Sequence, residues 1–141
     1  MPKIVGGCLC GAVRYTSEAE PVLTAVCHCN HCQKQGGSAF SVIIALPKRS
    51  LRVEGYLEVY QDTGESGLPV VRKFCPRCGS PIMSEVAVTP ELEWLKAGTL
   101  DDPSWFEPQM HIWCDHTQPW VSIDGSLPAY ERNPPLAPLT G

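Results

Sequence analysis

Apolar residues recur along the chain in short runs, which either alternate with polar residues or form brief β-branched stretches between glycines and prolines. This spacing predicts strands, because successive side chains of a strand point to opposite faces of a sheet. No window keeps a helical stripe for more than about two turns, although residues 30–35 fit one short helical turn with Asn30 as its N-cap. The predicted strands span residues 11–16, 22–27, 40–46, 51–60, 70–74, 81–88, 93–97, 109–114 and 120–123.

Many short strands with regular turn residues between them predict a mainly β fold, a sandwich of short antiparallel sheets in a single domain. The length of 141 residues fits one domain. A chain of this size buries about 68% of its unfolded surface, so a core can form without disulfides. We assign residues 3–132 to the β domain and the proline-rich residues 133–141 to a loose tail.

Composition excludes several classes of function. The formal net charge is −4, from 11 basic and 15 acidic residues, whereas proteins that bind nucleic acid usually carry a basic face. No stretch approaches the ~18 apolar residues of a membrane helix, and the N-terminus lacks the apolar run of a signal peptide. We therefore expect a cytoplasmic protein that binds neither nucleic acid nor membrane.

The candidate chemistry lies in the eight cysteines, all but one of which fall in three clusters. A reducing cytoplasm disfavours structural disulfides, so clustered cysteines there indicate a metal site. Zinc takes four ligands, and thiolate is among those it prefers. The clusters are Cys8 with Cys10, Cys27 with Cys29 and Cys32, and Cys75 with Cys78, which leaves Cys114 alone.

Two of the three clusters end in a glycine directly after the second cysteine. Gly11 and Gly79 can adopt positive φ, which turns backbone N–H groups towards the sulfurs. The economical partition puts the four cysteines of these two clusters on one ion. We predict a closed, structural zinc site formed by Cys8, Cys10, Cys75 and Cys78. We predict a second zinc, with one coordination position to spare, on Cys27, Cys29 and Cys32.

Three protein ligands and one exchangeable position are typical of a catalytic zinc site. Three thiolates leave one net negative charge on the ion, so bound water is acidified only modestly. Coordination deprotonates thiols, and the pattern therefore favours thiol chemistry over hydrolysis. The second site is instead closed and purely structural if Cys114, His28 or His31 supplies a fourth ligand. His28 alternates with Cys27 and Cys29, so on a strand its side chain faces away from them.

Other polar and aromatic residues have an ordinary structural interpretation. The four tryptophans (Trp94, Trp105, Trp113 and Trp120) are interpreted as core or rim packing. Basic side chains near the clusters can offset the charge of the thiolates, or can be ordinary solvated groups. These basic residues are Lys34, Arg72, Lys73 and Arg77.

The cysteine motifs together resemble the glutathione-dependent formaldehyde-activating enzymes, a family that includes proteins similar to centromere protein V. The motifs are Gly7-Cys-Leu-Cys-Gly11, Cys27-His-Cys-Asn-His-Cys32, Phe74-Cys-Pro-Arg-Cys-Gly79 and, later, His111-Ile-Trp-Cys-Asp115. The resemblance spans about residues 6–123 and implies a β-tent fold. It also implies structural zinc at Cys8, Cys10, Cys75 and Cys78, and catalytic zinc at Cys27, Cys29 and Cys32. Gln33 departs from the family, whose members often carry arginine there.

The resemblance implies an enzyme that joins glutathione to formaldehyde to give S-hydroxymethylglutathione, classed as a carbon–sulfur lyase. We therefore expect a zinc-dependent lyase with two zinc ions per chain, acting on a glutathione-like thiol and an aldehyde. The expected catalytic residues are Cys27, Cys29 and Cys32. The alternative is a non-enzymatic module in which both zinc ions serve as scaffolding for a protein partner.

Overall fold

The structure is a computed structural model, and it describes residues 3–135. Ten strands in this range form two sheets, which confirms the prediction of a mainly β single domain. The strands are β1 (Ile4–Gly7), β2 (Arg14–Ser17), β3 (Leu23–Cys27), β4 (Ser41–Pro47), β5 (Arg52–Glu54), β6 (Glu58–Thr63), β7 (Pro69–Phe74), β8 (Pro81–Val86), β9 (Leu92–Lys96) and β10 (Met110–Ile112). The helix α1 (Asn30–Gly36) follows β3.

The smaller sheet has the strand order β1-β2-β5, and the larger sheet the order β10-β3-β4-β9-β8-β7-β6. Neighbouring strands are antiparallel, as predicted, except that β10 runs parallel to β3. One buried core fills the space between the sheets, where Ile4 and Tyr15 of the small sheet meet Ile44 and Leu95 of the large one. The large sheet therefore has an inner face towards the small sheet and an outer face directed away from it.

The outer face of the large sheet carries a second apolar cluster, which includes Ala25, Cys27, Ile43, Trp94 and Ile112. Strand alternation determines which side chains share this face. Polar side chains accompany the apolar ones at cross-strand positions, because Ser41 lies opposite Cys27, Lys96 opposite Ile43, and Ser84 opposite both Trp94 and Arg72. The outer face thus carries two cations, Lys96 and Arg72, together with the cysteine at the end of β3.

Two predicted elements differ from those observed. The predicted strand over residues 51–60 is interrupted at Gly55, which has a φ of +99° and leaves no room for a side chain against the Ala12 carbonyl. The strand predicted over residues 120–123 is wrong: Val121 N–H instead closes a turn by donating to the Gln118 carbonyl at 3.0 Å.

The ends of helix α1 also correct the sequence interpretation. Its N-cap is Cys29 rather than Asn30, and no side chain caps it. The helix ends at Gly36, after which Gly37 adopts the left-handed conformation. Cys29 and Cys32 are therefore at the start of the helix, directly after the strand that carries Cys27. None of the helices described within residues 3–135 has the length and apolar character needed to cross a membrane.

A C-terminal segment, residues 130–133, lies alongside the end of β10. Trp113 N–H donates to the Arg132 carbonyl at 3.1 Å, and Cys114 N–H donates to the Tyr130 carbonyl at 3.0 Å. Asn133, the first residue of the predicted loose tail, accepts a hydrogen bond from the Trp113 indole at 3.0 Å. Residues 136–141 of that tail lie outside the described residues.

Candidate metal centres and the adjoining cavity

Four cysteine sulfurs meet where the turn after β1 approaches the turn between β7 and β8. The Sγ atoms of Cys8 and Cys10 are 3.6 Å apart, and those of Cys10 and Cys75 are 3.8 Å apart. With Cys78, all four sulfurs lie within 4.8 Å of one another. A tetrahedron with Zn–S bonds of about 2.3 Å has sulfurs about 3.8 Å apart. The donor set therefore fits a tetrahedral zinc ion.

Both turns use glycine to aim backbone donors at the sulfurs. Gly11 and Gly79 have φ values of +83° and +81°. Val13 N–H donates to Cys8 Sγ at 3.2 Å, and Arg77 N–H donates to Cys75 Sγ at 3.4 Å. Such bonds stabilise thiolates, the form that binds metal. Cys8 and Cys10 lie in a turn here, rather than on one face of a strand.

Ser80 also favours the thiolate form in this cluster. Its hydroxyl lies 3.2 Å from Cys78 Sγ. Hydrogen bonds from the Ser80 side chain and backbone, together with one from the Cys10 backbone, lower the pKa of Cys78 to about 5. A thiolate is therefore available at neutral pH to start metal binding. Cys75 has no exposed surface, so an ion held here is shielded from water on that side.

The second cluster lies at the junction of β3 and α1. The Sγ atoms of Cys27 and Cys32 are 3.8 Å apart, again the edge of a zinc–thiolate tetrahedron. Side-chain contacts from Cys27 and Cys29, and then the charges of Lys96 and Arg72, hold the pKa of Cys32 well below its usual value. Cys32 therefore interacts with both of the other thiols.

The three sulfurs of this second cluster lie farther apart than the four sulfurs of the first cluster. Among the residues that the structure describes, the four-cysteine cluster is the one group of three or more potential ligands whose atoms all lie within 4.8 Å. A common ion on Cys27, Cys29 and Cys32 would require a side chain to turn, and rotation between staggered rotamers moves a sulfur by a few ångströms.

A buried arginine links the second cluster to a carboxylate. Arg72 is 5% exposed, and its Nη1 lies 3.8 Å from Cys32 Sγ. Its Nε donates to Asp62 Oδ2 at 2.9 Å, and His31 Nδ1 lies 2.8 Å from the same oxygen. Burial by itself raises the pKa of the Asp62 carboxyl, but the hydrogen bonds with His31 and Arg72 outweigh it and lower that pKa. Asp62 thus remains charged and fixes the guanidinium beside the thiols.

A buried lysine supplies a second positive charge. Lys96 is 8% exposed, and its Nζ donates to Ser41 Oγ at 2.9 Å. No carboxylate within residues 3–135 forms a salt bridge with it. Buried cations are usually paired because desolvation is costly. The charge of Lys96 acts instead on the neighbouring cluster, where it helps to lower the pKa of Cys32.

All three cysteines of the second cluster open into a cavity of about 420 Å³ on the outer face of the large sheet. Arg72 and Lys96 also line it. Apolar side chains of the sheet cover much of its surface, and the turn between β6 and β7 contributes Glu65. The C-terminal segment completes the cavity with Arg132 and Asn133. The arrangement combines a potential metal site, buried positive charge and space for an organic ligand.

The three residues considered as a fourth ligand lie elsewhere. His28 is fully buried, with its Nε2 3.1 Å from His111 Nδ1 and its ring 5.7 Å from that of Phe40. His31 is directed at Asp62, and Cys114 begins a short 3₁₀ turn. In the part of the chain that the structure describes, the cavity lining includes none of these three residues. The second cluster is therefore left with three thiols beside open space.

Gln33, the residue that departs from the family pattern, connects α1 to the C-terminal region. Its Nε2 donates to the carbonyls of His28 at 2.7 Å and His116 at 3.0 Å, and its Oε1 accepts from Gln118 at 2.8 Å. The amide is thus committed to the protein. We infer that it holds the helix bearing Cys32 in place.

Lys96 was not predicted as a site residue. Trp94 and Trp113 pack in the second apolar cluster, as predicted, and they also line the cavity. A signal for Lys96 was present. In the strand predicted over residues 93–97, Lys96 shares its face with Trp94, which places a lysine beside an apolar side chain. Arg132 gave no such signal, because its position depends on pairing between residues far apart in sequence.

Two sheets around a four-thiolate cluster define a mainly β protein with a potential metal site. The chain belongs to the glutathione-dependent formaldehyde-activating enzyme family, which it matches over residues 3–116, and this confirms the family indicated by the cysteine motifs. It is similar to a protein of Rhodobacter sphaeroides whose crystal structure was determined in structural genomics, with a TM-score of 0.59 and 20% identity over 90% of this chain and 99% of that one. At that identity the likeness supports the fold alone. No curated protein matches the chain.

Proposed function

We propose that this protein is a zinc-dependent carbon–sulfur lyase that forms or cleaves the adduct of a glutathione-like thiol with an aldehyde such as formaldehyde. The observation that carries the proposal is the opening of Cys27, Cys29 and Cys32 into a cavity containing two buried cations. These three cysteines are the proposed catalytic ligands. The four-cysteine cluster is the proposed structural site, giving two zinc ions per chain. Membership of the family supports the choice of substrates.

The charges around the second cluster support the binding of a thiolate. A zinc ion on these thiolates would hold an incoming thiol in its ionised form and orient it for attack. Arg72 and Lys96 offset the negative charge of three cysteine thiolates, while Asp62 keeps Arg72 in position. With zinc, the formal charges of this whole group sum to zero, so an additional thiolate does not enter a strongly negative site.

Lys96 is the residue best suited to the oxygen of the aldehyde. When sulfur adds to the carbonyl carbon, the C–S bond forms and the π electrons move to oxygen. That oxygen then takes up a proton to become the hydroxyl of the adduct, which balances the proton that the thiol lost on ionising. A buried ammonium lining the cavity stabilises this developing negative charge. In the reverse direction the hydroxyl loses its proton, the carbonyl re-forms, and sulfur leaves with the bonding electrons.

We expect Lys96→Met to lower kcat by about 100-fold or more, the usual effect of removing a donor that stabilises an oxyanion. Methionine retains an unbranched apolar stem, so the fold should persist. The measurement is the rate of exchange between free thiol and adduct by NMR, with far-UV circular dichroism to verify folding. Lys34→Met, at an exposed position on α1, is the control and should retain full activity. An unchanged rate in Lys96→Met would refute this role.

A second test concerns the metal itself. Native mass spectrometry should find two zinc ions per chain, and one ion would break the proposed division of the cysteines. Zinc-edge X-ray absorption should show more sulfur around zinc after glutathione is added, because the thiol fills the free position of the second site. Unchanged sulfur coordination would count against thiol binding at the metal.

The alternative function, a non-enzymatic two-zinc module that binds a protein, draws on exposed aromatic side chains. Tyr56 and Tyr60 are 67% and 60% exposed at or beside the edge strand β6. If this alternative is correct, the protein binds two zinc ions but does not accelerate thiol–aldehyde exchange. For the enzyme we propose a cytoplasmic location, where a glutathione-like thiol is abundant and the eight cysteines stay reduced.

A further inference from the structure

The apolar side of the cavity bears on which aldehyde the enzyme accepts. We propose that the aldehyde is neutral and carries an apolar group larger than the hydrogens of formaldehyde. This group packs against one side of the cavity, called the apolar wall below. The apolar wall is formed by Ile43, Val86, Val88, Trp94, Ile112 and Trp113. This inference rests on the proposed function, since it specifies the substrate of the same site.

The apolar wall begins beside the second cysteine cluster, on the same face of the large sheet. Ile112 and Cys27 are cross-strand neighbours, and Trp94 is two residues from Lys96 on the same face. A substituent on the adduct carbon, which is bonded directly to the substrate sulfur, therefore enters the space beside this wall. The hydroxymethyl group made from formaldehyde has two non-hydrogen atoms and fills only a small part of the cavity of about 420 Å³. Burial of the apolar wall by a larger apolar group is favourable.

The peptide part of glutathione is a poor occupant of this wall. It carries carboxylates, an ammonium and amides, which lose hydration without finding partners among valine, isoleucine and tryptophan side chains. Polar partners lie instead at Glu65, Ser66, Arg132 and Asn133, where the cavity is lined by the β6–β7 turn and the C-terminal segment. The peptide is therefore directed to these residues, and the apolar wall remains free for the substituent of the aldehyde.

Trp113 is held in the wall at a conformational cost. Its φ is +58°, in the left-handed region that bulky L residues rarely adopt. The Asn133 side chain accepts from its indole N–H at 3.0 Å, and the Arg132 guanidinium lies 5.2 Å from its ring centre. Strain of this kind persists where the surroundings fix a side chain for function. Arg132 and Asn133 lie beyond residue 116, where the family match ends, so this side of the cavity is built by the chain's own C-terminal segment.

Charge argues that the aldehyde is neutral. The groups around the second cluster sum to zero with zinc present, and to one negative charge once the substrate thiolate is bound. A carboxylate on the aldehyde would add a further negative charge in a largely desolvated space, which is unfavourable. An uncharged aliphatic or aromatic substituent satisfies both the apolar wall and this charge distribution.

The binding test uses two stable thioethers, S-methylglutathione and S-hexylglutathione, which differ by five methylenes. Each buried methylene contributes about fourfold in affinity. Isothermal titration calorimetry on the zinc-loaded protein should therefore show S-hexylglutathione binding at least ~10-fold more tightly, allowing for partial burial. Equal affinities would overturn the inference. Because thioethers do not react, this result is independent of catalysis.

A variant that fills the cavity locates the effect. Val86→Phe narrows the cavity beside the apolar wall. The affinity for S-hexylglutathione should therefore fall ~10-fold or more, while the affinity for S-methylglutathione should stay within about twofold of the native value. Val59→Phe, on the edge strand β6 away from the cavity, is the matched control and should change neither affinity. If Val86→Phe lost affinity equally for both ligands, the hexyl group would not bind at the apolar wall, and the proposal would be contradicted.

Turnover separates this inference from the proposed function. Thiol exchange should be accelerated more for the hexanal adduct of glutathione than for the formaldehyde adduct, measured as kcat/KM by exchange NMR. Acceleration with formaldehyde but not with hexanal would leave the proposed function standing and overturn the inference. Acceleration with neither aldehyde would overturn the proposed function and the inference together.

Discussion

Cys75→Ser should abolish soluble, folded protein. Cys75 has no exposed surface and lies 3.8 Å, sulfur to sulfur, from Cys10, which is 65 residues away in the sequence. An ion at this cluster therefore ties the N-terminal strand to the middle of the chain. Structural zinc contributes about 10–16 kcal/mol in zinc-finger peptides, comparable with the entire stability of a domain, about 5–15 kcal/mol. Serine cannot replace the thiolate, so most of this free energy is lost.

The measurements for Cys75→Ser are the yield of soluble protein, the thermal unfolding curve by circular dichroism and the zinc content. Cys114→Ser is the matched control, because Cys114 is a half-buried cysteine outside both clusters. It should retain both zinc ions and unfold within a few degrees of the native protein. A Cys75→Ser protein that stayed folded, having lost one zinc at an unchanged melting temperature, would contradict the structural assignment.

Cys32→Ser should have the opposite result, a folded protein without activity. Cys32 lies in α1, contacts both Cys27 and Cys29, and faces Arg72 at 3.8 Å. Mutation of residues that merely orient a metal ligand costs about 10–100-fold, so loss of the ligand should lower kcat by at least ~100-fold. The zinc content should fall from two ions to one. The four-cysteine cluster, on the far side of the large sheet, should keep its metal.

The activity of Cys32→Ser is measured by the same exchange NMR, alongside zinc content and thermal unfolding. Cys114→Ser again serves as the control and should remain fully active. Two results would contradict the assignment. Full activity with one zinc would remove Cys32 from the catalytic site. Unfolding as complete as that of Cys75→Ser would mark the second cluster as structural and favour the non-enzymatic module.

The strands show where local pattern is sufficient and where it fails. The central strands β3, β4 and β9 match predicted segments to within one residue at each end, because most of their residues are buried in the sheet. Strand β1 was not predicted, since Gly6 and Gly7 weaken its local preference. It forms because it pairs with β2, and Gly6 is required where the chain passes close to Tyr15.

The predicted strand at residues 120–123 failed for the converse reason. Trp120-Val-Ser-Ile alternates as a strand does, but no neighbouring strand pairs with it in the described part of the chain. Alternation shows that a segment can present one apolar face. It does not supply the partner that the backbone N–H and C=O groups of a strand need.

The sequence by itself determined the family, the three cysteine clusters and their proposed division into four and three thiolates. These are properties of local spacing, because residues two or three positions apart can chelate one ion from a single turn, and glycine can follow where the backbone must turn. Only the tertiary structure decided what surrounds the second cluster. Lys96 and Arg72 reach it from separate strands, because strand register places side chains of distant segments on one face of a sheet. Trp113 joins them in the cavity lining from the turn after β10.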